Sequence, residues 1–186
     1  MPIELLNPVQ EPVAEVHPIA PRLSTLNGKV LGLWTNNKLN SVRLMEMIAA
    51  DLARDYDFTV RTGYYYASEL MPPEKWGDVD QCDAVILANG DCGACSSSGI
   101  ANAIELEKRG IPSFLICTPP FVDAVTSMAK LGGMSDVKWA VVEHPIGSVM
   151  EAELASRALD AARQFRECLL AAAADAPREL ALAGGK

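Results

Sequence analysis

Two cysteines stand three residues apart in the segment Cys92-Gly93-Ala94-Cys95. That spacing puts two thiols within one helical turn, close enough to exchange electrons as a disulfide. A cysteine at a helix N-terminus sees unpaired backbone N–H groups and the positive end of the helix dipole, and both favour the thiolate. Gly90 and Gly93 let the backbone turn tightly and leave the first sulfur open to a substrate. Asp91 acts in the opposite sense: its charge raises the thiol pKa unless Lys38 or a hydrogen bond offsets it, and it is also a candidate proton donor or base. The chemistry this predicts is nucleophilic or redox, with Cys92 attacking and Cys95 resolving. Gly, Asp and Ser crowd around the pair, which is loop composition rather than core. A structural pair in a buried turn is one alternative. A metal site on Cys92, Cys95, Cys117 and His144 is another, although a single C-x-x-C without a second paired motif falls below the structural zinc pattern. No cofactor is expected.

Further polar residues fall into segments that follow apolar runs. Lys38, flanked by Asn36, Asn37 and Asn40, reads as a clamp for an anion or carboxylate, with a solvated loop as the alternative. Gly93, Ser96, Cys117, Thr118 and Phe121 complete the set expected to touch a substrate. Cys117 ends an apolar run, so it is equally a small core residue or a third active thiol. His144, before Pro145, is either an acid/base or a hydrogen-bonded residue at a strand end. Cys82 and Cys168 are expected to be inert, and His17 carries no role. Glu105, Glu107, Lys108 and Arg109 read as a solvated helix face. The loop 89–98 matches neither G-x-G-x-x-G nor a G-K-[ST] phosphate loop, so nucleotide binding has little support.

The elements that must position these residues alternate. Strands are expected at 30–34, 58–62, 84–88, 113–117 and 137–142. Helices are expected from Ser41, as a cap, through Leu52; from the serines at 96–98 to a stop at Gly110; over 120–131; and from Met150 to about Ala174. The stretch between the second and third strands reads as a polar, proline-containing connection. Strands alternating with helices, nearly all of the strands continuous apolar runs, predict an α/β domain: one parallel sheet of about five strands with helices on both faces, flavodoxin-like, for which the order 2-1-3-4-5 is suggested without being fixed by sequence. In that order the ligand crevice lies beyond the carboxyl ends of the first and third strands. Residues 1–26 carry five prolines and no sustained period. They read as an extended arm, either a disordered leader or a strap over a partner subunit. The α/β domain is expected over 27–175 and a frayed tail over 176–186.

The chain has 186 residues, a net charge of −8 and 49% hydrophobic residues, which suits one globular domain and argues against a nucleic-acid partner. There is no apolar stretch of bilayer length and no secretory pattern, and the five cysteines are odd in number. A cytoplasmic thiol protein acting on a small molecule is expected, as a homodimer or as a subunit of a larger hetero-oligomer, and without a membrane partner.

The run Ala84-Val85-Ile86-Leu87-Ala88-Asn89-Gly90-Asp91-Cys92-Gly93-Ala94-Cys95-Ser96 resembles the UGSC family, named for selenocysteine or cysteine followed by Gly-Ser-Cys. The resemblance takes in Asn36-Asn37-Lys38-Leu39-Asn40, Glu107-Lys108-Arg109-Gly110-Ile111-Pro112, Thr118-Pro119-Pro120-Phe121 and His144-Pro145, covering roughly residues 28–148. That family looks related to the selenoprotein subunit of glycine-reductase-type enzymes. The resemblance implies a chalcogen nucleophile: Cys92 stands where some members have selenocysteine, and Cys95 matches the second cysteine. Ala94 replaces the motif serine, so any hydrogen bond from that hydroxyl is absent. Three readings follow. In the first, Cys92 attacks a small carboxylate-bearing substrate held by Lys38, Asn37 and Asn40, with Asp91 or His144 moving protons. In the second, Cys92 or Cys117 is a non-redox acid/base, as in isomerases resembling the Asp/Glu racemase group. In the third, the chain is a thiol sensor or a non-catalytic subunit.

Overall fold

Each of the five expected strands takes its place in one sheet. The computed structural model describes residues 15–67 and 69–170. In it β1 (Lys29–Thr35), β2 (Phe58–Tyr64), β3 (Ala84–Gly90), β4 (Ser113–Cys117) and β5 (Lys138–Val141) pair in parallel in the order β2-β1-β3-β4-β5. This is the α/β, flavodoxin-like order expected. Four helices connect and close it: α1 (Ser41–Leu52), α2 (Gly93–Lys108), α3 (Val122–Leu131) and α4 (Glu151–Leu169). All seven residues of β3, at the centre, are buried, because helices cover both faces.

Side-chain alternation along the strands builds two cores. On one face Leu31, Leu33, Ile86, Phe114 and Ile116 meet Leu44 and Ile48 of α1 and Ala161 and Phe165 of α4. On the other, Trp34, Val85, Leu87 and Leu115 meet Ile100 and Ile104 of α2 and Val125 of α3. The connection before β3 is less polar in effect than its composition. Tyr65, Met71, Trp76 and Val79 are buried, and the Asn102 carboxamide of α2 holds the segment by accepting from Met71 N at 2.7 Å and donating to Glu69 O at 3.1 Å.

Several boundaries move for identifiable reasons. Ser41 is the first residue of α1, not its cap: its hydroxyl donates to Lys38 O at 2.7 Å and lies 2.5 Å from Thr35 Oγ1, and Asn40 precedes it in a left-handed conformation. β3 runs on through Asn89 and Gly90, and α2 begins at Gly93 rather than at the serines. The segment at 120–131 opens as a short 3-10 turn, Pro119–Phe121, before α3. The closing helix stops at Leu169, because Leu170 is extended and bridges to Leu23. Glu107 leaves the solvated face assigned to it. It is 2% exposed and accepts from Ala20 N, Ser113 N and the Arg22 guanidinium at 2.5–2.7 Å.

That carboxylate fixes the described part of the N-terminal segment, residues 15–26, along the chain's own α2, while Leu23 pairs beside α4. At the far edge, the Gln164 carboxamide accepts from Val141 N at 3.0 Å and donates to Val141 O at 2.9 Å, as a neighbouring strand would. The segment 1–14 and the tail 176–186 lie outside the described residues. No helix among the described residues is long and apolar enough to cross a membrane.

Candidate functional site

After β1 the chain turns towards β2, and after β3 towards β4, so a crevice opens beyond the ends of β1 and β3. Two asparagines stitch its base. Asn36 Nδ2 donates to Asn89 O at 2.9 Å, and Asn89 N donates to Asn36 Oδ1 at 3.1 Å. The exchange fixes how far the two strand ends part. Asn40, at φ 63°, turns its carboxamide onto Ile146 O at 2.9 Å and Val149 O at 3.1 Å, tying the β1–α1 loop to the β5–α4 loop. Asn36 and Asn40 therefore build walls, while Asn37 is exposed.

Cys92 is the extended residue that caps α2, and its Sγ accepts from Cys95 N at 3.2 Å. The two cysteines are joined as a disulfide, with Cα atoms 5.2 Å apart. Cys92 is half-buried and Cys95 is 2% exposed, so the pair has an outer and an inner sulfur. Gly90 makes this placement possible. A Cβ there would stand 2.8 Å from Cys117 Cβ and 2.8 Å from Ser96 Oγ, so only glycine lets β3 pass this close to β4 and to the first turn of α2. Gly93 has no such constraint: it is exposed, and a Cβ would meet nothing within 4 Å. The N–H groups of Gly93 and Ala94, at the first two positions of the helix, have no acceptor within it.

Asp91 is occupied. Its two oxygens accept from Ile146 N at 3.0 Å and Gly147 N at 2.9 Å, and Oδ1 lies 3.0 Å from His144 Nδ1. The same nitrogen is 3.2 Å from Thr118 Oγ1, and the Phe121 ring meets the imidazole edge-on. Asp91, His144, Thr118 and Phe121 thus form one buttress behind the loop 143–149. Thr118 is fully buried within it.

A cavity of about 250 Å³ opens in front of the disulfide, lined by Lys38, Leu39, Asn89, Asp91, Cys92, Cys95 and Gly147. Four of these were singled out from the sequence; Leu39, Asn89 and Gly147 were not. Asn89 and Gly147 lie in the same segments as the expected residues, but nothing in their types marks them. Ser96 and Cys117 are buried beneath the site and do not line it. Burial pushes the Cys117 thiol up to about 12. A larger hollow of about 490 Å³ between α1 and β2 takes in Asn37 and no cysteine. Among the described residues no three His, Cys, Asp or Glu side chains converge as a metal ion would require.

The UGSC family model matches residues 4–171, nearly the whole chain. This chain belongs to the UGSC family. The match reaches beyond the motif segments to the closing helix and into the N-terminal segment, so the family unit includes the walls of the cavity as well as the cysteine pair. A search of curated proteins returns no match.

Proposed function

We propose that this UGSC protein is a thiol-dependent reductive enzyme in which Cys92, freed as a thiolate, attacks a small carboxylate-bearing substrate and Cys95 resolves the adduct. The observation that carries this reading is the pairing of an accessible sulfur with a buried one at a helix N-terminus, facing a cavity that Lys38 also lines. The Gly93 and Ala94 N–H groups and the Lys38 ammonium suit a carboxylate, and the helix dipole favours negative charge on sulfur and substrate alike.

In the first step a carbon–sulfur bond forms at Cys92 and the leaving group departs with its electron pair. In the second, the Cys95 thiolate attacks Cys92 Sγ, an S–S bond forms, the carbon–sulfur bond breaks, and the carbon takes up a proton. The substrate gains two electrons, and the dithiol becomes the disulfide. An external dithiol reductant is required to return it to the reduced state. Asp91, already accepting from Ile146 N and Gly147 N and 3.0 Å from His144 Nδ1, contributes by fixing the loop, and the proton reaches the carbon from solvent at the cavity mouth.

The test is selective alkylation of the reduced full chain, followed by intact mass. Iodoacetate carries the carboxylate and iodoacetamide does not. Cys92 should react first, with an iodoacetate-to-iodoacetamide rate ratio above that of a free thiol, and Lys38→Ala should remove the excess. Equal ratios in both chains, or slow reaction at Cys92, would end the proposal.

A further inference from the structure

Asn89 is fully buried at the cavity and its side chain is only half used. Nδ2 donates to Leu39 O at 3.3 Å, whereas Oδ1 is buried with no hydrogen-bond partner in the protein. A buried acceptor left unpaired is costly, and such atoms in native sites are commonly completed by a ligand or a bound water. Lys38 and Leu39, which line the cavity beside Asn89, are exposed, and Leu39 O accepts the 3.3 Å hydrogen bond of the Asn89 side chain. Oδ1 calls for a donor, while the start of α2 and Lys38 call for an anion.

We infer that the substrate of this cavity is a short-chain hydroxy acid that carries its leaving group apart from the hydroxyl, on the carbon Cys92 attacks, with its carboxylate held by Lys38 and the start of α2 and its hydroxyl donating to Asn89 Oδ1. The inference rests on the reading of the cavity as the carboxylate site of Cys92. The cavity is small, about 250 Å³, which suits a short-chain acid. Charge selects hydroxyl over ammonium. A hydroxyl has one proton to place and satisfies a neutral amide oxygen, whereas an ammonium brings three N–H groups and a charge. The carboxylate that could neutralise that charge, Asp91, is already taken by Ile146 N, Gly147 N and His144.

The experiment is titration of the reduced full chain with glycolate and lactate against acetate and propionate, with glycine and alanine as the amino counterparts, by calorimetry or ligand-observed NMR. Each hydroxy acid should bind at least tenfold tighter than its deoxy analogue. In Asn89→Leu and Asn89→Ala, checked for folding by thermal melting, the ratio should fall towards one while acetate binding persists. The backbone exchange with Asn36 does not involve the Asn89 side chain, so these variants keep it. Equal binding of acetate and glycolate to the unaltered chain overturns the hydroxyl inference and leaves the carboxylate reading standing. Tighter binding of the amino acids overturns the choice of hydroxyl. Failure of every carboxylate to bind, with Lys38→Ala indistinguishable from the unaltered chain, overturns both.

Discussion

Asp91 accepts a 2.9 Å hydrogen bond from the backbone N–H of Gly147, which joins the residue preceding Cys92 to the loop that walls the cavity. A one-residue shift at the start of α2 would be felt at once in that loop. The acid next to the nucleophile therefore shapes the cavity, with its charge spent on backbone donors and an imidazole rather than on the sulfur.

Asp91→Ala orphans two backbone donors, one of them on buried Ile146, and should lower stability by about 1–3 kcal/mol. Asp91→Asn keeps acceptor capacity in one oxygen and should recover part of the loss. Urea unfolding checks the order. If the two variants match the unaltered chain, the clamp carries no weight.

The inner and outer sulfurs should differ in what they can trap. Reduced Cys95→Ser, treated with a small disulfide, should acquire a mixed disulfide at Cys92. Cys92→Ser should stay unmodified at Cys95, which is 2% exposed. Cys117, pushed up to about 12, has a thiolate fraction of about 10⁻⁴ at pH 8 and should be alkylated only in denaturant. Intact mass with peptide mapping reads all three sites, and adducts on native Cys95 would refute the assignment of roles.

Gly90→Ala drives a methyl group to 2.8 Å from Cys117 Cβ and 3.1 Å from its Cα. Backbone cannot yield as a flexible side chain does, so a loss of about 1–3 kcal/mol is expected, with slower alkylation of Cys92 as α2 is pushed outward. Gly93→Ala meets nothing and should cost little on steric grounds.

Asp83 gives the fold a sensitivity to acid. Burial pulls its pKa up, but the Val30 N–H at 2.8 Å and the Lys29 ammonium at 3.0 Å outweigh it, and the carboxyl ends below its ordinary value of 3.8. A depressed carboxyl stabilises the folded state above the unfolded pKa and stops doing so as pH falls through the folded one. The stability gap between the unaltered chain and Asp83→Asn should therefore be full at pH 7 and shrink below about pH 4. Urea midpoints at pH 7 and pH 3 measure it, and a gap that widens in acid contradicts the account.

The centre of the sheet was legible in the sequence because β3 and β4 are buried on both faces and so are written as largely apolar runs, 113–117 to the residue. The cysteine pair and Lys38 were legible because their types announce chemistry. Asn89 was passed over because it stood among residues expected to end a strand, and a strand end is ordinary ground for asparagine. Its significance lies in one unsatisfied oxygen, a property of three-dimensional packing. Glu107 was misplaced for a related reason. Its neighbours Glu105, Lys108 and Arg109 are charged, and the N–H groups that hold it come from Ala20 and Ser113, which no local pattern connects to it.

Gln164 imitates a sixth strand with a single carboxamide. Any peptide that would lengthen the sheet beside Val141 has first to evict that side chain and find new partners for its oxygen and nitrogen. The outermost strand on that flank is thus already spoken for at its carboxyl end, by a helix that also covers one face of the sheet.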